Sequence, residues 1–359
     1  MNPIQSNGYS IFFYQSAYQQ FNETIASSDI SSLFILVDKN THQYCYQKFI
    51  DHISIDKTVQ LIKINAGENH KNINTCVSVW EKLTELGADR KSLLINLGGG
   101  MVTDLGGFVA STYKRGIKFI NIPTTLLSMV DASVGSKTGV DLGNLKNLVG
   151  LFSNPEMVLI DTDYLETLPE RQLRSGIAEI IKYGLTTDAN LLEEIQQDVW
   201  KNFTKVDALV YQSINIKNNI VLQDPREENL RKTLNLGHTV GHAVESYFLE
   251  HAELENLTHG EAVAIGIIAE TYISHKLHNF PMVKLESLKK YIHQTFGKIS
   301  INKTHYQAIL ELMKHDKKNI NGSIRYILLN DITDYIIDAT APLDLVIEGL
   351  DYYQINSTQ

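Results

Sequence analysis

The 359-residue chain reads as an α/β protein of two domains, a parallel sheet with its helices first and a mainly α-helical domain after it. Three observations predict this. Short apolar, β-branched runs near 33–37, 61–64, 93–97, 119–122 and 157–161 alternate with helical periods, the pattern of parallel strands buried on both faces. After Asp161 the rhythm changes, and from Pro169 onward long helical periods cover 170–186, 205–222, 237–249, 260–277, 284–296 and 304–315. The composition, 43% hydrophobic and 20% charged, suits a chain of this length with two ordinary cores. The boundary is placed near residue 165, giving domains 1–165 and 166–359, and the β-rich stretch 325–329 pairs with 335–337 as a small hairpin.

In chain order, the buried strand Leu93-Leu94-Ile95-Asn96-Leu97 runs directly into Gly98-Gly99-Gly100-Met101-Val102-Thr103-Asp104. Ten of the chain's 22 glycines fall between residues 98 and 150. Such a turn lets backbone approach a phosphate, and Asp104 is placed to cap a helix over 105–112 whose first amides would face a pyrophosphate. The motif is not the GxGxxG dinucleotide fingerprint, and a glycine turn after a strand also serves as a plain tight connection. The next strand, Phe119-Ile120-Asn121-Ile122, ends at Pro123-Thr124-Thr125, and a loop follows with Asp131, Ser133, Gly135, Ser136, Lys137, Thr138, Lys146 and Asn147. Two lysines among small hydrogen-bonding residues are the chemistry of an anion clamp; a solvated surface loop is the plainer alternative.

In the helical half, Ile177, Ile180, Ile181 and Leu185 mark a mostly buried helix, an unfavourable place for Glu179 unless something offsets its desolvation. Lys182 shares its face three residues on, so a helix ion pair is one reading. Farther along, Leu234-Asn235-Leu236-Gly237-His238-Thr239-Val240-Gly241-His242-Ala243 puts two histidines four apart on one helix face. Thr258-His259-Gly260-Glu261 opens another helix with a capping-box pattern and holds a third histidine at its positive end. Single histidines cap helices or fill cores, but this set points to a catalytic zinc, which takes three protein ligands and keeps one position open. By spacing alone His238 and His242 are the paired ligands, completed by the carboxylate of Glu179.

A net charge of −9 argues against general binding to nucleic acid or an anionic membrane. Only two cysteines occur, Cys45 and Cys76, without metal spacing; a disulfide scaffold is not expected, and a reducing cytoplasm is. No apolar run reaches membrane-spanning length, and Met1-Asn2-Pro3-Ile4-Gln5-Ser6-Asn7 lacks the basic start and apolar stretch of a signal.

In order and spacing these motifs resemble those of the 3-dehydroquinate synthases, a family within the sugar phosphate cyclases. The resemblance runs from Val37-Asp38-Lys39-Asn40 and Gly67-Glu68 to Asp316-Lys317-Lys318-Asn319. Between them it takes in 98–104, Pro123-Thr124-Thr125-Leu126-Leu127, Val130-Asp131-Ala132-Ser133-Val134-Gly135, Lys146-Asn147, 179–184, 235–242 and His259-Gly260-Glu261. It implies an N-terminal Rossmann-like parallel-sheet domain that binds NAD, a mainly α-helical C-terminal metal-binding domain, and an active site in the cleft between them. It also implies a divalent metal, zinc with cobalt as a substitute, and a homodimer. The implied enzyme is a carbon–oxygen lyase acting on phosphates, which turns 3-deoxy-D-arabino-heptulosonate 7-phosphate into 3-dehydroquinate and phosphate in the shikimate pathway. Transient oxidation of the C5 hydroxyl by NAD, phosphate elimination, re-reduction and aldol closure regenerate the cofactor at each turnover.

Carried over by position, the resemblance implies Glu179, His238 and His259 as metal ligands and moves His242 beside the substrate for acid–base work, which departs from the HxxxH reading. It implies Glu227 as a proton acceptor near the metal, and Lys182, Lys217, Arg231, Asn235 and Lys317 as substrate clamps, Arg231 suiting a planar carboxylate and lysines a phosphate. Asp131, Lys137 and Asn147 also fall to the substrate, with Arg115 reaching across from a second subunit. For NAD, Asp38 and Asn40 follow a strand where acidic groups hold the adenosine ribose, with Glu68 and Lys71 nearby. Gly99, Gly100, Asp104, Thr124 and Thr125 form the cradle, and Lys146 is a further contact. One departure is visible: where the family usually reads Gly-Gly-Lys-Thr, this chain has Gly135-Ser136-Lys137-Thr138, and a positive φ would strain Ser136. The rival is a glycerol-1-phosphate or polyol dehydrogenase of the metal-dependent alcohol dehydrogenase type, which shares the plan but releases NADH. A simple dehydrogenase needs no such ring of carboxylate and phosphate ligands. The charged spacer with Glu245, Glu250, Glu253 and Glu255 has no assigned role.

Overall fold

A computed structural model describes residues 1–54, 57–143, 145–251, 253–314 and 323–355. The chain forms two compact units, one of Met1–Pro169 with Asp207–Pro225, the other of Glu170–Val206 with Arg226–Gln359. The first unit thus takes back a segment that a single boundary near residue 165 leaves in the second half.

The strands of the first unit are β1 (Ile4–Gln5), β2 (Ser10–Phe13), β3 (Leu33–Asp38), β4 (Val59–Ile64), β5 (Leu93–Gly98), β6 (Lys118–Pro123), β7 (Lys137–Leu142), β8 (Leu145–Phe152) and β9 (Met157–Ile160). Seven of them make one sheet in the order β1-β2-β9-β6-β5-β3-β4, parallel throughout except for the β1–β2 pair. β7 and β8 form a separate antiparallel hairpin. The apolar runs of β3 and β5 are buried on both faces because helices cover them. α1 (Tyr14–Ser27), α2 (Lys39–Tyr44), α3 (Tyr46–His52), α4 (Ile73–Glu85) and α5 (Gly100–Thr112) intervene between strands. On one side Phe34, Leu36, Ile62 and Leu94 pack with Cys76, Val79 and Leu83 of α4 and with Val102, Leu105 and Val109 of α5. Spacings of three and four residues on both helices aim these side chains at the sheet, each buried Leu, Val or Phe contributing about 1.5–3 kcal/mol. Leaving β3, the chain goes to β4 on one side and then to β5 on the other, so the order reverses between β3 and β5. In open parallel sheets the crevice at the carboxyl ends of such strands is where ligands bind.

The second unit is built from α6 (Glu170–Thr186), α7 (Ala189–Gln196), the start of α8 (Phe203–Gln223), α9 (His238–Glu250), α10 (His259–His278), α11 (Met282–Phe296), α12 (Tyr306–Met313), the antiparallel hairpin β10 (Tyr326–Asp331) and β11 (Asp334–Ala339), and α13 (Leu343–Gln354). α10 is apolar on nearly every side, from Ala262 to Ile273, because α6, α9, α11, α13 and β10 all pack on it. The expected late hairpin is present. Three features differ from the sequence reading: the edge strand β1 and its neighbour β2, the helices α7 and α13, and a stretch read as a loop that is a π-turn at Ser128–Ala132 followed by the β7–β8 hairpin. Among the described residues no helix is long and apolar enough to cross a membrane.

Candidate active site

Three helices of the second unit bring Glu179, His238, His242 and His259 together. α10 starts at His259 because Thr258 and Glu261 cap each other: Glu261 N donates to Thr258 Oγ1 at 3.3 Å and Thr258 N to Glu261 Oε2 at 2.8 Å. Arg171 of α6 grips the same Glu261 with bonds of 2.7 and 2.8 Å, and Gly260 N donates to Ser175 Oγ at 2.9 Å. A Cβ on Gly260 would stand 2.2 Å from the Ser175 carbonyl oxygen, so only glycine lets α6 and α10 approach this closely. Glu179 follows Ser175 by one turn, and the contact delivers its fully buried carboxylate to the histidines. Oε1 lies 3.3 Å from His259 Nε2 and 3.5 Å from His238 Nε2.

The rings are oriented from behind. His238 Nδ1 donates to Leu236 O at 3.1 Å and His259 Nδ1 to Glu245 Oε2 at 3.1 Å, so both turn Nε2 toward Glu179. One ring nitrogen each of His238, His242 and His259 lie within 4.8 Å of one another. Burial alone lowers the His259 pKa, but Glu245 and Glu179 outweigh it and push it up to about 10. A pocket that stabilises positive charge on a ring flanked by a buried carboxylate and two further imidazoles has the donor chemistry of a zinc or cobalt site. Lys182 Nζ contacts Glu179 Oε2. Nearby in sequence, Arg231 is 2% exposed, and Asn235 Nδ2 donates to Glu227 Oε1 at 2.9 Å, Glu227 itself standing at φ +63°.

In the first unit, the turn after β5 needs its glycines for close approach rather than for φ. A Cβ would meet Val102 at 2.6 Å from Gly98, Thr125 Cγ2 at 3.0 Å from Gly99 and Ala132 Cβ at 3.2 Å from Gly100. Thr124 N donates to Gly98 O at 3.0 Å, which ties the ends of β5 and β6 together. This cradle at the switch of strand order fits a pyrophosphate. One expectation is corrected. α5 begins at Gly100, not Leu105, so Asp104 does not cap it; its carboxylate lies inside the helix and pairs with Lys71 Nζ at 2.6 Å.

Lys71 is 4% exposed and also donates to Asn147 Oδ1 at 2.6 Å. Lys146 Nζ lies 2.8 Å from Glu68 and 3.5 Å from Asp141, which accepts from Asn147 N at 2.6 Å. Asn147 can do so because it adopts φ +51°. Burial raises Asp104 and Asp141 above the usual carboxylate range against the pull of the lysines. For Lys71, burial pulls down, but Asp104, Glu68 and Asp141 hold its ammonium above the ordinary value. Lys217, on the returned segment, pairs with Asp131 Oδ1 at 2.8 Å. At the end of β3, Asp38 Oδ1 accepts from Thr41 N at 2.8 Å and caps α2, with Asn40 exposed beside it. Ser136 does stand at φ +61°, its Oγ donating to Asn154 Oδ1 at 2.6 Å, and Lys137 opens β7.

Two sequence-predicted residues are not joined to these groups. Arg115 is exposed at φ +71° and makes no hydrogen bond or ion pair with them among the described residues; Lys317 lies outside the described residues. Conversely, Asp141 and Glu245 face the clusters without being expected there. Asp141 had no local signal. Glu245 had one: it stands three residues after His242 and seven after His238, on the same helix face.

These two units, a parallel sheet with a glycine cradle and a helical bundle with a His/Glu cluster, define a fold class also seen in solved structures. The fold is similar to 2-deoxy-scyllo-inosose synthase, solved with carbaglucose-6-phosphate, NAD+ and Co2+, at a TM-score of 0.84 and 22% identity over 98% of this chain and 99% of that one. It is similar to 2-epi-5-epi-valiolone synthase of Streptomyces hygroscopicus, solved with NAD+ and Zn2+, at 0.83 and 23% over 98% of each chain. The NADH-dependent butanol dehydrogenase of Thermotoga maritima is more distant, at 0.70 and 13% over 98% of each. Sequence narrows the class. Residues 61–175 match the 3-dehydroquinate synthase N-terminal family and residues 176–319 its C-terminal counterpart. The chain is 42% identical to 3-dehydroquinate synthase of Parabacteroides distasonis, over 93% of this chain and 95% of that protein. To the enzyme of Leptospira interrogans it is 39% identical, over 86% and 85%. The chain belongs to the 3-dehydroquinate synthase family.

Proposed function

We propose that the chain carries out its family's reaction, converting 3-deoxy-D-arabino-heptulosonate 7-phosphate into 3-dehydroquinate and phosphate with NAD and a divalent metal. The observation that carries this reading is the convergence of Glu179 Oε1 on His259 Nε2 and His238 Nε2, at 3.3 and 3.5 Å, in a chain with this family membership. Glu179, His238 and His259 hold the metal, and the glycine cradle with Asp38, Asn40, Glu68, Lys71, Asp104, Thr124, Thr125 and Lys146 holds NAD. Together the bound groups supply a hydride acceptor and a Lewis acid that acidifies the hydroxyl being oxidised.

The remaining residues bind, orient and move protons. His242, one turn along α9 from His238 and only partly buried, exchanges a proton with the substrate. Glu227, held by Asn235, is the second proton acceptor. Arg231 offers its planar fork to the substrate carboxylate, and Lys137, Lys182, Lys217 and Lys317 meet its phosphate and hydroxyl oxygens, with Asp131 and Asn147 fixing the clamp. The working form is a cytoplasmic homodimer in which the exposed Arg115 serves the neighbouring subunit.

The dehydrogenase reading is weaker, because the dehydrogenase likeness is 13% identity against 42% for a named synthase. Incubation with the heptulosonate phosphate should release phosphate only when NAD is present, stop with chelator, resume with Zn2+ or Co2+, and accumulate no NADH. Steady NADH formation without phosphate release would reverse the choice.

A further inference from the structure

We propose that Glu245 and Glu270 are reciprocal positioning residues: Glu245 of α9 aims His259 of α10, while Glu270 of α10 fixes the turn of α9 that carries His238. The proposal rests on the reading of His238 and His259 as metal ligands and assigns the two groups that aim them.

Glu245 is 6% exposed, with Oε2 3.1 Å from His259 Nδ1. A carboxylate only accepts, so Nδ1 keeps its proton and Nε2 becomes the nitrogen available to a metal. An imidazole without that partner has two tautomers and two ring orientations; the bond to Glu245 selects one of each and makes the ring a stronger donor. Glu270 is fully buried, three turns into the same helix as His259. Its Oε2 accepts from Gly237 N at 2.7 Å and its Oε1 from Val240 N at 3.0 Å. Those amides belong to the start of α9, where helical donors have no internal acceptor and the helix dipole favours an anion. His238 lies between them, so the carboxylate clamps the backbone on both sides of a ligand whose ring is already held by Leu236 O.

The geometry requires glycine where the helices cross. A Cβ on Gly266 would stand 1.9 Å from Gly237 O, and one on Gly241 would stand 2.9 Å from Ala262 O. A polar side chain is costly to desolvate at this fully buried position, and a leucine there would avoid that cost but leave two amides bare beside a ligand. α9 therefore contributes His238 and His242 to the cluster and α10 contributes His259, and each helix supplies a carboxylate that sets a histidine of the other.

The test titrates Co2+ into metal-free protein and reads affinity and the visible d–d band. Glu245→Leu and Glu270→Gln should bind about 10- to 100-fold more weakly with an altered band, and Glu245→Gln, which keeps an acceptor oxygen, should recover part of the loss. Tyr291→Phe removes a buried hydroxyl bonded to Ile195 O at 2.6 Å in the same unit; it should melt earlier yet bind Co2+ within about twofold of the unaltered chain. In the Zn2+-loaded protein, nitrogen NMR should place the His259 proton on Nδ1. Unchanged affinity and band in both Glu245→Leu and Glu270→Gln would overturn the brace while leaving the metal site standing. Undiminished Co2+ binding in His259→Ala would overturn the ligand assignment itself. Should Glu270→Gln fail to fold, the Glu245 pair alone decides.

Discussion

His238, His242 and His259 have similar surroundings but unequal duties under the proposed reaction. Two of them have Nδ1 tied to a backbone or carboxylate acceptor and Nε2 facing Glu179; the His242 ring lies 5.2 Å from that of His238 and 5.7 Å from that of His259. His238→Ala and His259→Ala should therefore lose the metal, whereas His242→Ala should retain it and turn over about 10²- to 10⁴-fold more slowly, as metal analysis beside a phosphate-release assay would reveal. A metal-free His242→Ala would shift the ligand set to the three histidines. Spacing and capping made the histidines readable in the sequence, because partners three, four and seven residues apart share a helix face. Asp104 was misread for the opposite reason: its partner Lys71 is 33 residues upstream, and no local pattern reports a pairing made by tertiary structure.

Among the elements, α10 was the most legible, since Thr258 and Glu261 announce its first turn and its apolar run announces burial. The β7–β8 hairpin was the least. Leu142, Leu151 and Phe152 are 52%, 41% and 56% exposed while Thr138, Gly139 and Asp141 are buried, so apolar character does not report which positions face inward. The contact of α6 with α10 makes a sharp forecast. Gly260→Ala would drive a methyl into the Ser175 carbonyl, so it should cost about 3 kcal/mol in urea unfolding and weaken metal binding in parallel. Full stability and full metal content would contradict the packing.

α11 offers a pH test. Lys289 is 3% exposed and donates to Tyr352 O at 2.6 Å. Burial, with repulsion from Lys298, pushes its ammonium down from 10.5 to about 8. Between those values the unfolded chain binds more protons at this site than the folded one, so the site gains stability as pH rises and the penalty is fully present below about pH 8. Relative to Lys289→Met, the urea midpoint of the unaltered chain should climb between about pH 7.5 and about pH 10. A pH-independent gap between the two proteins would refute it.

For the molecule as a whole, the sequence disclosed a sheet-forming half followed by a helical half because buried parallel strands and long helical periods differ in length and rhythm. It did not disclose β1 and β2, whose short runs carry little pattern, nor the assignment of 207–225 to the sheet unit, which depends on tertiary contacts. A metal that binds only the folded chain must stabilise it. Saturating Zn2+, about a thousandfold above its dissociation constant, should add about 4 kcal/mol to the unfolding free energy and raise Tm, while His259→Ala should show no such gain. An equal rise in both proteins would mean that the ion acts elsewhere.

The returned segment also bears on how such a protein can be divided. The polypeptide passes from one unit to the other after Pro169, after Val206 and again after Pro225. Severing it once at the first of these points would strand Asp131 without Lys217, Phe13 without the ring of Tyr211 that packs on it at 5.1 Å, and the Gln5 carbonyl without Asn218. The halves are interlaced along the backbone rather than strung end to end, so a single gene fission after Pro169 would deprive the sheet half of 207–225, and neither half can be borrowed intact by one cut.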